Sequence, residues 1–444
     1  MPIRDRSKVS TASPAHNAYI DGILWGGAKW SSNEITYSFN SSDDAKDTRD
    51  WSEGEIKVLE EVLATWSRVA DIEFVRVADD DADAFLKLNL GGDFAPGILS
   101  EFVPPGIENQ GEGNFNWQAL GGEKFKDLKP GSKGFLVLLH ELGHGLGLAH
   151  PHDNAGGSNL YPGLYLNLEP ADSTGTDGLN QGIWTTMSYN EGLDGSGLQG
   201  SPMAFDIAAV QHLYGSNSDH ADGDNIYTLP HTDTTDPYYQ SIWDTGGVDT
   251  IEALADRNAT IDLRPAPLSG RNAGGYVSSL DDVDGGFTIA NGVEIENAIA
   301  SAGDDILTGN NLNNNLDGSG GDDRLTGGKN NDTLVGGSGD DILVGCDPTE
   351  LDAGKGEYDR LTGGKGVDTF VLGDSVETYY LGNGYVTITD FERSEGDRLR
   401  ASGLASDYSF EEVEDGTHVL YQGDRLATVL GVTELTTDLD FQFV

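Results

Sequence analysis

Cysteine is almost missing from this chain: Cys346 is the only one in 444 residues, so no intrachain disulfide can form. Basic residues are scarce too, 26 Lys plus Arg against 75 Asp plus Glu, leaving a formal charge of -49. Nucleic acids are gripped by a basic face and none is visible, which excludes them as partners. The longest purely aliphatic or aromatic run, residues 135–139, is far too short to span a bilayer, so a soluble protein with no membrane insertion is expected. Residues 1–17 are polar and lack the apolar core of a secretory signal peptide. A chain without disulfides usually reads as cytosolic. It fits equally a protein exported unfolded by a route that avoids disulfide formation.

Glycine is what the chain has in excess, 61 residues, about twice the usual share. The hydrophobic content of 37% is below the usual globular figure, yet the aromatic content is too high for a wholly disordered chain. So large a negative charge repels itself in a compact state unless cations offset it. Acid clustered with glycine points to calcium.

The length allows two or three domains. Residues 1–16 read as a loose leader without periodicity. Residues 17–215 read as a mixed α/β domain. Ile35, Tyr37 and Phe39 alternate as in a strand, and short strand-like runs cover 72–77 and 85–90. Ser52 and Glu55 form a capping-box pair ahead of a helix with Ile56, Leu59, Leu63, Trp66 and Ala70 on its apolar face. A second helical pattern covers 133–146. A third opens on Ser201 as N-cap with Pro202 at the first helical position, and Gly215 stops it.

From residue 216 the composition turns to Gly, Asp, Asn and Thr with single aliphatic residues between, and a period of nine emerges. Over residues 300–371, eight consecutive units keep register. Their sixth position carries a side-chain oxygen throughout: Asp305, Asn314, Asp323, Asp332, Asp341, Glu350, Asp359 and Asp368. Their eighth is Leu or Phe except at Asp352, in the unit 345–353 that also holds Pro348. Glycine permits the tight turns, the carboxylates offer hard oxygen ligands of the kind calcium prefers, and the aliphatic side chain points inward from a short strand. One unit cannot bury that side chain alone, so the units must stack. A disordered acidic linker would not keep an aliphatic column in phase. Residues 216–374 are therefore expected to form an all-β calcium-binding stack, and 375–444, which alternate around 385–388 and 418–421, a C-terminal cap.

The second helix contains His140-Glu141-Leu142-Gly143-His144, followed by Gly147 and His150. Histidines at i and i+4 share a helix face, Gly147 lets the chain turn, and His150 can return as a third ligand. Three neutral nitrogens suit zinc and leave a position open for water, as in catalytic sites. Glu141 stands beside them as a base. A structural zinc would ask for a fourth, closed ligand. His152, His212, His220, His231 and His418 lack ligand spacing and read as ordinary surface or core histidines.

The full spacing His-Glu-x-x-His-x-x-Gly-x-x-His is the metzincin signature, and the chain resembles a serralysin. Thr186-Met187-Ser188-Tyr189 is similar to the family's Met-containing turn, although Met187 alone would pass as core filling. The stretches Asp206-Ile207-Ala208-Ala209-Val210-Gln211-His212-Leu213-Tyr214-Gly215 and Trp243-Asp244-Thr245-Gly246-Gly247-Val248-Asp249-Thr250 also match, as does the nonapeptide array. The resemblance implies an α+β catalytic domain with a mixed sheet, followed by a parallel β-roll of RTX type. It implies zinc on His140, His144 and His150, with Glu141 as catalytic base and Met187 beneath the metal. Tyr189 is implied as a displaceable zinc ligand and transition-state donor; as a cleft tyrosine it would instead bind substrate. Calcium would be held at Asp305, Asp323, Asp332, Asp341, Asp359 and Asp368, with Asn314 and Glu350 departing from the pattern. The implied protein is a monomeric, secreted zinc endopeptidase acting on broad protein or peptide substrates that lie along an edge strand, for which residues 97–103 are the candidate. Export would use a type I machinery that reads the acid-then-apolar ending Asp440-Phe441-Gln442-Phe443-Val444. Two rival readings are a calcium-dependent adhesion or scaffolding module with an inactive zinc domain, and another enzyme appended to the repeats. No altered residue in the motif favours the first, and no Gly-x-Ser-x-Gly elbow before the array favours the second.

Overall fold

The computed structural model describes residues 8–40, 48–81, 83–91, 94–95, 97–118, 128–166, 171–190, 197–231 and 237–444. Residues 1–7 of the expected leader lie outside them. The rest of that leader is not loose: β1 (Val9–Thr11) pairs antiparallel with β2 (Ala28–Trp30), after α1 (Ala18–Gly22) has turned the chain back. Three residues, two of them β-branched, are enough to give β2 an edge partner.

Five strands form the first sheet: β3 (Glu34–Phe39), β4 (Glu73–Arg76), β5 (Leu86–Gly91), β6 (Ser100–Phe102) and β7 (Glu112–Asn116). Their order is β4-β3-β5-β7-β6, all parallel except the antiparallel β6 at one edge. The helix α2 (Glu53–Val69) has the expected capping box, with Ser52 Oγ and the Glu55 carboxylate satisfying each other's backbone N–H groups. It buries Leu59, Val62, Leu63 and Trp66, residues three and four apart on one face, between the sheet and the helix that carries the histidines.

The third helix differs slightly from expectation. It spans Ala204–Tyr214, and Ser201 does not cap it. The Asp206 carboxylate accepts the Met203 N–H at 2.9 Å instead, because it is already held by the turn containing Met187, and this starts the helix two residues later.

The array folds as two parallel sheets with successive units alternating between them. One inward column runs Ile251, Ala298, Leu316, Leu334, Leu361, Ile388 and Val429; the other runs Ile261, Leu307, Leu325, Leu343, Phe370, Leu399 and Phe441. All of these except Phe441, which is 8% exposed, are fully buried. Both columns continue through the expected cap, whose strands Val386–Ile388, Arg398–Ala401, Asp424–Leu430 and Phe441–Phe443 extend the stack. Irregular loop lengths hide that continuation from a search for a fixed period.

One unit of the eight is not a coil of the stack. Most position-six residues pair with the one 18 residues on, but Asp332 pairs with Asp359 and Asp341 with Asp368, each 27 away. Nine extra residues make up the difference as an excursion that leaves the stack after Cys346, the end of the strand Ile342–Cys346. Asp352 would put a carboxylate in the dry column, and Pro348 has no N–H for a ladder. Glu350 consequently leaves the ligand column and pairs with Lys329 at 2.8 Å. Among the described residues no helix is long and apolar enough to cross a membrane.

This arrangement separates two substitutions. Leu334→Ala should cost about 2–5 kcal/mol in calcium-saturated denaturant unfolding, the range for deleting a buried leucine. Asp352→Leu restores the apolar column of the sequence yet should add no stability, since Asp352 is exposed and has φ +62°. A stabilised Asp352→Leu variant would place the excursion inside the stack.

Candidate metal centre

Helix α3 (Lys133–Leu146) builds the site. Ser132 Oγ accepts the Phe135 N–H at its start, and Gly147 ends it with φ +103°. A Cβ at Gly147 would lie 2.2 Å from the Ala28 carbonyl oxygen, so only glycine lets the chain turn there and return as His150. The last carbonyls of α3 are taken by side chains: Gly145 O accepts Trp30 Nε1–H at 2.8 Å and Leu146 O accepts the Tyr214 hydroxyl at 2.9 Å. Gly143 has its own reason, since a Cβ there would meet Met187 Sδ at 2.7 Å.

His140, His144 and His150 come together as the spacing requires. Each Nδ1 faces an oxygen: Thr186 O at 2.7 Å, Leu148 O at 2.9 Å and Asp153 Oδ2 at 2.7 Å respectively. Those acceptors fix the proton on Nδ1 in all three rings and turn the Nε2 lone pairs inward. His150 Nε2 lies 3.2 Å from His140 Nε2 and 3.0 Å from His144 Nε2. Three acceptors facing one another without a donor repel, and a shared divalent cation is what relieves them; the donor set fits zinc. Burial, and then the neighbouring imidazoles, push the His140 pKa down to about 3 and that of His144 well below its ordinary value, so both are neutral ligands at pH 7.

Glu141 is 7% exposed beside the triad. Burial raises its pKa to about 7 against the opposing pull of a hydrogen bond from Ser100. Oε1 accepts the Ser100 hydroxyl at 2.7 Å, whereas Oε2 has no partner among the described residues. Met187 is fully buried under the helix. Its turn is pinned by Asp206, whose carboxylate accepts Thr185 Oγ1–H at 2.6 Å and the Thr186 N–H at 2.7 Å. Since the Thr186 carbonyl holds His140, Asp206 reaches the triad through a single residue, Thr186. The Tyr189 ring leans over the triad, its centroid 4.7 Å from that of His150 and 5.8 Å from that of His140.

His152 departs from expectation. It is buried in the site wall, stacked on His150 at 4.9 Å with its ring 4.5 Å from Tyr189. Spacing alone did not reveal it, nor Ser100, Asp153 or Asp206, which serve the site through hydrogen bonds from distant or irregular segments. Strand β6 forms the rim, and its edge position agrees with the stretch expected to receive substrate, although residues 97–99 precede the strand rather than belong to it. The cleft holds about 350 Å³ between Ile98, Ser100, Leu136, His140, Glu141 and Tyr189.

The stack presents a second donor set. Asp305, Asp323, Asp341 and Asp368 form one ladder and Asn314, Asp332 and Asp359 the other, each Oδ1 accepting the backbone N–H of the preceding member where there is one. Asp397, beyond the array, continues the first ladder. The second oxygens of Asp323, Asp332 and Asp341 are buried without a partner among the described residues. A Cβ on Gly318, Gly327 or Gly336 would fall 2.2–2.3 Å from these oxygens, so each carboxylate sits in a cradle only glycine leaves open. Burial raises Asp323 to about 8, Asp332 to about 9, Asp341 to about 6 and Asp368 to about 7, with the metal-free charge uncompensated. These turns fit calcium.

Two turns are closed differently. Tyr380, held at φ +62°, donates its hydroxyl to Asp359 Oδ2 at 2.5 Å, and Asn314 Nδ2 donates to Glu296 O at 3.0 Å. A protein donor stands there where the turns at Asp323, Asp332 and Asp341 leave an oxygen free, and Asp305 Oδ2 likewise accepts the Ser301 N–H at 3.0 Å. A further acidic cluster, not singled out as a site by sequence, surrounds Asp249, which is fully buried with one oxygen unpartnered among the described residues, close to Asp244 and Glu296.

Comparison with known proteins places this geometry. A family model described as Matrixin matches residues 29–172, and one described as Peptidase M10 serralysin C terminal matches residues 204–424. Serralysin of Proteus mirabilis is 31% identical over 317 residues, 64% of this chain and 60% of that protein. Metallopeptidase AprA of Pseudomonas marginalis is 32% identical over 271 residues, 57% of this chain and 53% of that protein. The chain thus spans only a little over half the length of these two relatives. Serralysin of Photorhabdus laumondii is 30% identical over 354 residues, 71% of this chain and 68% of that protein. The two family models follow one another along the chain as the two halves of the fold do, and the chain belongs to the serralysin family of metzincins.

Proposed function

We propose that the protein is a secreted, zinc-dependent endopeptidase with broad protein substrates, stabilised by calcium in its β-roll. The observation that carries this reading is the convergence of three Nε2 lone pairs beside one free carboxylate oxygen, in an open cleft under an edge strand. His140, His144 and His150 would hold the zinc, which when bound supplies a Lewis acid for the scissile carbonyl and acidifies a water. Glu141 Oε2 takes the proton of the attacking water and returns it to the leaving amine. The Tyr189 hydroxyl, above the triad, donates to the oxygen that gains negative charge. Among the described residues the outer edge of β6 pairs with no strand, which suits an extended peptide, and pairing through backbone groups selects weakly among side chains. An inactive zinc domain on an adhesion module is not favoured, since both carboxylate and imidazoles are in working order.

Calcium bound in the turns would make folding and binding one event, and extracellular modules bind it at roughly 10⁻⁴ to 10⁻³ M. A chain that folds only outside the cell suits export as a monomer through a type I channel.

Hydrolysis of casein by the purified protein, abolished by a zinc chelator and restored by zinc, tests the activity. Glu141→Gln should retain zinc and lose several orders of magnitude in turnover, because the base is gone. Turnover like that of the wild type in this variant would remove Glu141 from the mechanism.

The carboxylates give a pH dependence with a definite sign. Unfolded, they titrate at about 4. In the calcium-free fold Asp323 and Asp332 keep protons up to about 8 and about 9. The folded state therefore binds more protons than the unfolded one between these limits, and its stability falls as pH rises through them. In a calcium-selective chelator the strand circular dichroism of the full chain should melt at a lower temperature at pH 8 than at pH 5, and added calcium should raise the melting temperature more at pH 8. A chelated roll more stable at pH 8 would contradict this.

A further inference from the structure

Ser100 is the side chain on the edge strand that hydrogen-bonds the base, and the backbone N–H of Phe102 on the same strand also acts on that carboxylate. β6 runs beside α3, and two strand steps cover about 6.8 Å, close to the about 6 Å of four helix residues. Side chains two apart on the strand thus meet residues four apart on the helix. Phe102 is the apolar contact: a Cβ on Gly145 would lie 2.8 Å from its ring, so the strand packs directly on the helix backbone. Ser100, one step of the same face away, places its hydroxyl 2.7 Å from Glu141 Oε1. Glu101, between them, points to solvent. On its inner side β6 is fixed by pairing Ser100 with Phe115 and Phe102 with Gly113.

The consequence lies in what is left over. A carboxylate with two equivalent oxygens can rotate and present either, or both in turn. Here Oε1 is engaged and Oε2 is buried with no partner among the described residues. We propose that Ser100 is a positioning residue for the protease reaction: it holds Oε1 so that Oε2 alone is presented as the base, and it ties the base to the strand against which the peptide lies. The inference rests on the protease reading above. A hydroxyl is needed, not bulk, because the contact is a single O–H donated to an ionised oxygen.

Full-length Ser100→Ala and Ser100→Thr variants, loaded with zinc and calcium, test this on a peptide substrate. Ser100→Ala should lower kcat about tenfold, the scale of one hydrogen bond to a charged group, with KM within about twofold of wild type. Ser100→Thr keeps the hydroxyl and should recover kcat to within about threefold of wild type by the same measure. Zinc content and melting temperature should be those of the wild type in both. Undiminished kcat in Ser100→Ala, or a threonine variant no better than alanine, would overturn the proposal. Crystal structures supply a readout that does not depend on turnover: Glu141 should occupy one rotamer in the wild type and Ser100→Thr and a redistributed set in Ser100→Ala. An unchanged rotamer in Ser100→Ala would overturn the role of Ser100 even if the protein cleaves peptides, whereas a wild type that cleaves nothing sinks the protease reading instead.

Discussion

The site depends on where three protons point. His140, His144 and His150 each give Nδ1–H to an oxygen outside the triad, so their Nε2 lone pairs face one another. Every nearby feature follows from maintaining that arrangement. Gly147 allows the turn that brings His150 and the Leu148 carbonyl back to α3. The Thr186 carbonyl is in place because Asp206 clamps the preceding peptide through the Thr186 N–H and the Thr185 hydroxyl. Asp206 is itself fully buried and pushed up to about 6 by burial, a cost offset by donors from Thr185, Thr186 and Met203. Met187 occupies the space left by Gly143, and α2 and Trp66 close the floor beneath.

The β-roll solves a related problem of like charges at close quarters. Its aspartates are buried, those from Asp323 to Asp368 under glycine turns, and each uses one oxygen on the ladder. Where the other oxygen is free the turn needs a cation. Where Tyr380 or the Asn314 amide supplies a donor, the protein has replaced that need with a hydrogen bond. Tyr380 reaches Asp359 from beyond the excursion after Cys346, so the irregular unit and the altered turn occupy one stretch of the stack. In this segment of the roll a hydrogen bond stands where Asp323, Asp332 and Asp341 leave a carboxylate oxygen unpartnered among the described residues.

Much of this was legible in the sequence because the relevant signals are local and periodic. The capping box of α2, the i, i+4 histidines and the nine-residue columns all depend on spacing along the chain. What stayed hidden depends on contacts across it. Asp352 looked like a single flaw in a column, but a buried carboxylate is costly enough to expel nine residues. Ser201-Pro202 carried a reasonable start signal, which lost to the tertiary hold on Asp206. His152 has no ligand spacing, and only the turn after His150 shows that it lines the site. Asp397 continues a ladder whose loop lengths have already left the repeat.

The three inward lone pairs are arranged to hold one divalent cation. Anomalous diffraction at the zinc edge from crystals of the zinc-loaded protein tests it most directly. A single peak is expected at about 2.0–2.1 Å from Nε2 of His140, His144 and His150 together, with Asp153 still on His150 Nδ1. A zinc ion lying instead between His150, His152 and Asp153, the other group close enough to ligate one, would contradict it.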